Sequence, residues 1–555
     1  MKKCFLSVFS LTVIAGGCGK KSSDPSPPPA PTNFSLTSSL MNGAAIQLIN
    51  YNINPNPSIR FNFTSAINKA TVANSIAFTE SSGSTVSYNI SYSNGDSSII
   101  LSPTVALKHL AKYKVALSKN LKSSNGSSLT AGTEISFITT IDSTDKFPQI
   151  KDEELLEKVQ KQTFRYFWDF AHPTSGLARE RSNGDNNIVT SGGAGFGVMA
   201  LITAIHRGFI TRSEGLARMQ TMVSFLKNTA EKHKGAFPHW LNGQTGTTVP
   251  FSPKDNGADL VETSFLIQGL LCARQYFDGT DAAETMLRND INAIWQGVQW
   301  SFFRKNNENV LYWHWSPNYN WDMNLPIRGW NECLITYVLA ASSPTHAIPK
   351  IVYDEGWAQN GVMRNNKNFL GYSLPLGPDY GGPLFFSHYS FLGIDPNGLT
   401  DQYANYQTQV TNHTKINYEY CKANPKNQFG YSDQCWGLTA SDIPNGYTAS
   451  SPTNDVGVIA PTAALSSFPY TPAESMKALK FFYYKLGDKL WTDYGFRDAF
   501  SLKDVWFAGS HLAIDQGPII VMIENYRSGL LWNLFMSCPE IKAGMKTLGF
   551  QSPRL

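Results

Sequence analysis

Three carboxylates crowd one short stretch of the sequence. In "SPKDNGADLVETSFLIQGLL", which starts at Ser252, Asp255, Asp259 and Glu262 stand at i, i+4 and i+7. On a helix opening near Asp255 their side chains fall within about a 60° arc of one face. Like charges at i,i+4 repel, yet Val261, Phe265, Leu266, Leu270 and Leu271 follow and mark a core helix. Two further acids open apolar segments. Glu332 lies in "RGWNECLITYVLA" and Asp515 in "AIDQGPIIVMIENYRSGLLW", with Glu524 later in the same run. An acid at the start of an apolar helix is partly desolvated, which raises its pKa and favours the protonated form. A helix-terminal Glu facing the dipole, or an Asp N-cap, accounts for the same residue types structurally. Asp442 in "CWGLTASD" and Asp455 in "TNDVGVIAP" sit in Gly/Thr-rich turns and read as structural.

Aromatic residues surround these acids. Trp295, Trp300, Trp313, Trp315, Trp321 and Trp330 fall within 36 residues; they suit sugar rings and a packed core equally. No HExxH, CxxC, GxSxG or Walker loop occurs, and the ten His are scattered, so no metal or cofactor is expected. "GGAGFG" at 192–197 lacks dinucleotide spacing and reads as a tight helix entry. Carboxyl groups set among aromatics are the equipment of glycoside hydrolysis. One acid protonates the leaving oxygen while a carboxylate activates water or attacks the sugar. Other acids can hold sugar hydroxyls.

The chain that positions these groups has 555 residues, 42% hydrophobic and 16% charged, with a net charge of +4. That is a globular composition. Without a basic block, nucleic acid is not expected as a partner. "MKKCFLSVFSLTVIAGGC" has the charged start, apolar stretch and small residues of a signal peptide. Its "AGGC" resembles a bacterial lipobox. That implies cleavage after residue 17, lipid on Cys18, and a Ser/Pro-rich tether over 18–31. The expected location is the bacterial cell envelope, with membrane contact through the anchor only. Residues 32–141 lack Trp and alternate in short runs such as "SIRFNFT" and "TVSYNISYS", which predicts a β-sandwich. It resembles the bacterial Ig-like domains that precede secreted hydrolases. After a linker over 142–151, residues 152–555 turn helical. "TPAESMKALKFFYYKLG" shows Thr471 as N-cap, Glu474 completing a capping box and Gly487 closing the helix. Paired helices in this number suggest an α/α toroid. Cys272, Cys333 and Cys538 read as buried thiols, while Cys421 and Cys435 could pair.

Seven motifs in order, "NIVTSGGAGFGVMAL", "DNGADLVETSFLIQGLL", "RGWNECLITYVLAASSPTH", "DYGGPLFFSHYSFLGIDP", "CWGLTASD", "GVIAPTAALSSFPYTPAESMKAL" and "AIDQGPIIVMIENYRSGLLW", resemble the glycoamylase-like proteins of glycoside hydrolase family 144. The resemblance spans about residues 150–550. It implies a mainly α fold, an (α/α)6 toroid behind the small all-β Ig-like sandwich, acting on β-1,2-glucan by a metal-independent inverting mechanism; separately, a monomer is expected. Carried over by motif, it implies Glu332 as general acid and Asp515 as general base. Asp255, Asp259 and Glu262 become acidic groups of a substrate cleft, facing sugar hydroxyls and water. Arg328, Trp330, His388, Tyr389 and Trp436 become subsite contacts. A different glucan linkage, or a non-catalytic glycan-binding lipoprotein, would use the same residues. An inverting pair stands about 6.5–9.5 Å apart.

Overall fold

The computed structural model describes residues 33–555; the signal peptide, Cys18 and the tether expected from the sequence lie outside the described residues. The chain forms two compact units. Of the described residues, one holds 33–50 with Asn56–Leu107 and Tyr113–Phe137; the other holds Tyr51–Pro55, Lys108–Lys112 and Ile138–Leu555.

The first unit is all β. One antiparallel sheet runs Ala44–Ala45, Leu36–Met41, Ile59–Phe63, Ser98–Pro103, Tyr88–Ser93 in spatial order. A second contains Ile76–Glu80 against Lys112–Leu117, with Phe78 opposite Val115. Strand alternation sends Ile59, Phe61 and Phe63 inward. Phe61, Phe78, Val115 and Phe137 are fully buried between strands.

The second unit is built from helices of two characters. Helices α1 (Asp152–Trp168), α3 (Arg212–Asn228) and α5 (Ala282–Gly297) bury one face and wet the other. Helices α2 (Ser191–His206) and α4 (Leu260–Tyr276) bury fourteen and fifteen residues of sixteen and seventeen. Helices apolar all round belong to an inner layer, amphipathic ones to an outer layer. The inner layer closes on itself. Helix α2 packs on α4, α4 on α6 (Leu334–Ser342), α6 on the turn Ser390–Leu392, that turn on α11 (Ala513–Arg527), and α11 back on α2. Helices α1 and α3 flank α2 from outside, and α13 (Pro539–Leu548) covers α6. This is the layout of an α/α toroid, as the motifs imply. Among the described residues no helix is long and apolar enough to cross a membrane.

Local signals hold less evenly. Helix α4 starts at Leu260 with Asp259 as N-cap, so Asp255 lies in the preceding loop and the three acids do not stack on one helical face. Thr471 is the N-cap of α9 (Pro472–Lys480), but its side chain makes no cap bond and instead meets Ser475. The capping box forms at Thr211 and Glu214, ahead of α3. Gly487 begins a short helix rather than ending one. Gly517 and Pro518 lie inside α11, not in a turn. All five described cysteines are free and buried, Cys421 and Cys435 included.

The "GGAGFG" segment lies within α2, where its glycines let inner helices touch backbone to backbone. A Cβ on Gly195 would sit 2.2 Å from the Phe265 carbonyl oxygen, and one on Gly269 would sit 2.2 Å from the Gly195 oxygen. Backbone cannot yield as a side-chain tip can, so a methyl there wedges α2 from α4. Gly195→Ala and Gly269→Ala are each expected to cost about 1–3 kcal/mol or more in denaturant unfolding. Gly297→Ala, with nothing within 4 Å of its Cβ, serves as the neutral comparison.

Candidate active site

The N-terminal ends of α2, α4 and α11 meet at a cleft of about 510 Å³, walled by Glu180, Arg181, Thr190, His239, Trp240, Phe251, Glu262, Tyr447, Leu512 and Ile514. Glu180 and Glu262 are the acids of this lining, and further carboxyls near each make two groups, with Glu332 and Asp515 off the lining itself.

The first group answers how three carboxylates share one corner. The strand Ala258–Asp259 pairs with His314–Trp315, which sets Asp259 opposite His314. The His314 Nε2 lies 3.1 Å from Asp255 and 3.3 Å from Asp259. His239 Nδ1 lies 3.0 Å from the same Asp259 oxygen. Burial opposes charge on both imidazoles, but the carboxylates outweigh it. Glu262 and Asp259 push His239 up to about 9, and hydrogen bonds to Asp255 and Asp259 push His314 up to about 10. In return, against its own burial, the two imidazolium groups hold Asp259 well below the usual carboxylate range. The other Asp259 oxygen accepts the Val261 and Glu262 amides as N-cap. Glu262 is buried and raised, mainly by desolvation. It accepts the Gly192 amide at 2.8 Å, at the positive end of α2. A Cβ on Gly192 would lie 2.3 Å from that carboxylate. The three acids therefore do not simply face sugar and water, as expected from the sequence. Asp255, Asp259 and Glu262 are at most 4% exposed, and two histidines pair with them. His239, Asp255 and Asp259 present ligand atoms within 4.8 Å of one another, a spacing that could hold a metal ion.

Glu332 precedes α6 by two residues rather than sitting in its first turn. Its carbonyl accepts the Ser390 hydroxyl, which itself accepts the Ile335 amide, so its backbone is pinned to the inner ring. The side chain keeps some surface open. Desolvation, with Glu262 and Asp259 adding repulsion, pushes its carboxyl up to about 7.

The second group surrounds Asp515. Residues 180–182 pair strand-like with 511–513: the Ser182 amide donates to His511 and the Ala513 amide to Glu180. That brings Glu180 and Arg181 beside the start of α11. Arg181 donates to Glu180 at 2.9 Å and to both Asp442 oxygens at 3.2 Å. The Asp442 amide donates to Asp498 at 2.7 Å. Asp515 is 1% exposed, is not on the cleft lining, and stands within hydrogen-bonding reach of Asp498. Burial and the Asp498 charge push Asp515 well above the usual range, and burial foremost carries Asp498 to about 6.

Tyr389 ties the groups together. It packs on Phe196 and Phe265 and lies within electrostatic reach of Asp515, Glu332 and Glu262. The other residues implied as subsite contacts lie elsewhere. His388 is buried and bonded to Ser467, and the Trp436 indole donates to the Glu474 carbonyl from within the core. Trp330 is buried against Phe391 and Tyr406. Arg328 lines a separate depression with Glu308 and Glu355. The Trp cluster is mostly packing: Trp295 meets Trp300 edge-on, and Trp315 and Trp321 enclose Phe302. Glu524 is paired with Arg207, and Asp455 with two tyrosine hydroxyls. Sequence reasoning missed Glu180, Arg181, His239, His314, Phe251, Tyr447 and Asp498. The one available signal was that buried carboxylates demand cations, which singled out no particular histidine.

Removing one partner of a buried ion pair leaves an uncompensated charge. His314→Asn is expected to destabilise the chain by about 3–5 kcal/mol in equilibrium unfolding at pH 7. Because both histidines bind protons more tightly folded than unfolded, their stabilisation is full below the unfolded value of about 6.5. It fades as pH rises through about 9 to 10. In wild type, unfolding free energy should decline across that window, and in His314→Asn the decline should be shallower.

Known proteins agree with this architecture. The glycoamylase family model matches residues 324–539, and a bacterial Ig-like domain model matches residues 42–139. An exo β-1,2-glucooligosaccharide sophorohydrolase (non-reducing end) of Parabacteroides distasonis is 47% identical over 418 residues, 72% of this chain. The chain spans 58% of that relative's length. The structure of an endo-β-1,2-glucanase from Chitinophaga pinensis, in complex with sophorotriose and glucose, is 54% identical. It covers 73% of this chain and 100% of its own, with a TM-score of 0.72. A β-1,2-glucanase structure from Parabacteroides distasonis is 38% identical over 94% of this chain and 73% of its own, with a TM-score of 0.71. The chain belongs to the glycoamylase-like proteins of glycoside hydrolase family 144, with a bacterial Ig-like domain ahead of the helical one.

Proposed function

We propose that this protein hydrolyses β-1,2-glucan by an inverting mechanism in which Glu332 is the general acid and Asp515 the general base. The observation that carries the reading is the 54% identity with the endo-β-1,2-glucanase over that enzyme's whole length. The site's chemistry supports it. A general acid must hold a proton near neutrality, and Glu332 sits at about 7. Glu332 passes that proton to the glycosidic oxygen as the bond to the anomeric carbon breaks. Water attacks that carbon from the opposite face and its proton passes to Asp515. Asp255, Asp259 and Glu262, with their histidines, form the acidic wall beside Glu332. Phe251 is half exposed and stacks on His239 at 4.2 Å, and Tyr447 is half exposed on a second wall. They are the aromatic faces open to a sugar ring. The protein is tethered to the cell envelope through lipid on Cys18, a reading that rests on the sequence "AGGC".

Product analysis on linear β-1,2-glucan tests the reading. A ladder of oligosaccharides identifies endo cleavage and disaccharide alone identifies exo cleavage; turnover of only another glucan would overturn the substrate assignment. Glu332→Gln and Asp515→Asn should each lower turnover by about 10²–10⁴-fold while sugar binding stays measurable by calorimetry. In wild type kcat/KM should fall as pH rises through about 7, where the general acid loses its proton. Cys18→Ala should abolish incorporation of labelled fatty acid.

A further inference from the structure

Asp498 and Asp515 present a bonding problem. Their side chains stand within hydrogen-bonding reach of each other, yet ionised carboxylates only accept. Asp498 Oδ1 and Asp515 Oδ2 are both buried and receive no hydrogen bond from any other group. Neither phenol facing the pair, Tyr389 or Tyr447, bonds to these oxygens, and three further donors are committed. The Asp442 amide is given to the other Asp498 oxygen at 2.7 Å, Arg181 to Asp442 and Glu180, and the Ser510 hydroxyl to Asp442. Both aspartates are 1% exposed, so water does not stand in freely. One proton between the two carboxyls resolves every one of these features.

We propose that Asp498 is a positioning residue that shares a single proton with Asp515 at neutral pH. The inference rests on the role of Asp515 given above. The pair then carries one negative charge and titrates as a unit rather than as two separate acids. Arg181 supplies the nearby positive charge, one of its nitrogens shared between both Asp442 oxygens and another given to Glu180. The other groups facing the pair are Asp442 and the phenols of Tyr389 and Tyr447. Hydrogen-bonded to its partner, Asp515 is fixed in rotamer while the pair retains one site of proton uptake. When water attacks, its proton fills that site, the pair becomes neutral, and no second anion is ever created in the buried wall. The proton is later released to solvent.

Asp498→Asn distinguishes this arrangement from simple packing. Asparagine keeps the shape and still accepts the Asp442 amide, and its NH2 donates to Asp515 without competing for a proton. The acid limb of kcat/KM against pH should stay within about half a unit, because Asp515 takes up its proton beside a neutral donor in both proteins; a fall of about one unit or more would mean that Asp498 is ionised in wild type and would overturn the proposal. A second readout needs no turnover. Infrared spectra of the full chain with 13C-carboxyl aspartate should show a carboxylic-acid C=O band at pH 7, lost in Asp498→Asn and in Asp515→Asn. If wild type lacks that band, no proton is shared. If the band behaves as expected but no β-1,2-glucan is cleaved, the substrate assignment fails and the shared proton stands.

Discussion

The structure depends on burying many carboxyl groups around one cleft without leaving bare charge. An isolated carboxylate in a low-dielectric interior is costly enough that it takes up a proton or finds a cation. This protein uses both solutions on different walls. On the α4 side, His239 and His314 become imidazolium and bracket Asp259. On the α11 side there is one guanidinium, Arg181, for Glu180 and Asp442, so Asp498 and Asp515 are pushed toward the protonated form.

That arrangement explains why the inner helices are built as they are. The acids stand at or just before helix N-termini, where amides and the helix dipole offset negative charge. Asp259 caps α4, Glu262 takes the Gly192 amide of α2, and Asp515 lies in the first turn of α11. For these ends to converge, the helices behind them must pack closely. Gly195 and Gly269 allow this by letting α2 and α4 touch backbone to backbone. The same glycine-rich segment thus sets the packing distance and supplies an amide to the site.

Much of this was legible in the sequence for a physical reason. Inner helices such as α4 are apolar all round and outer ones such as α1 are periodic, so helix number and layering follow from pattern. Glu332 and Asp515 stood out because acids opening apolar segments are conspicuous. Arg181, Asp498, His239 and His314 were not legible, because each acquires its role from a partner distant in sequence. Arg181 reaches Asp442 across 261 positions. The helix start at Leu260 was misjudged because Asp255 and Asp259 both suit an N-cap, and the pairing of Asp259 with His314 decided between them. His388 and Trp436 lie in a resembling motif, but their role there is to fill the core.

The asymmetry between the two walls bears on how a reaction would run. Glu332 is raised by burial and by the neighbouring Glu262 and Asp259, so its neutral form is favoured before the bond breaks and its anion is disfavoured afterwards. The Asp498–Asp515 wall is disfavoured as a double anion and relieved by gaining a proton. On the proposed roles, one turnover would move charge toward the wall that carries imidazolium groups and remove it from the wall that has one arginine. Loss of a proton near His239 and His314 is partly compensated by those cations, and gain of a proton near Arg181 frees its charge for Glu180 and Asp442. Because Glu332, Asp498 and Asp515 are off the cleft lining, the two walls would on that reading reset by relaying protons to water in the cleft past Glu180 and Glu262. A closed, dry cavity would strand the proton on the wrong side.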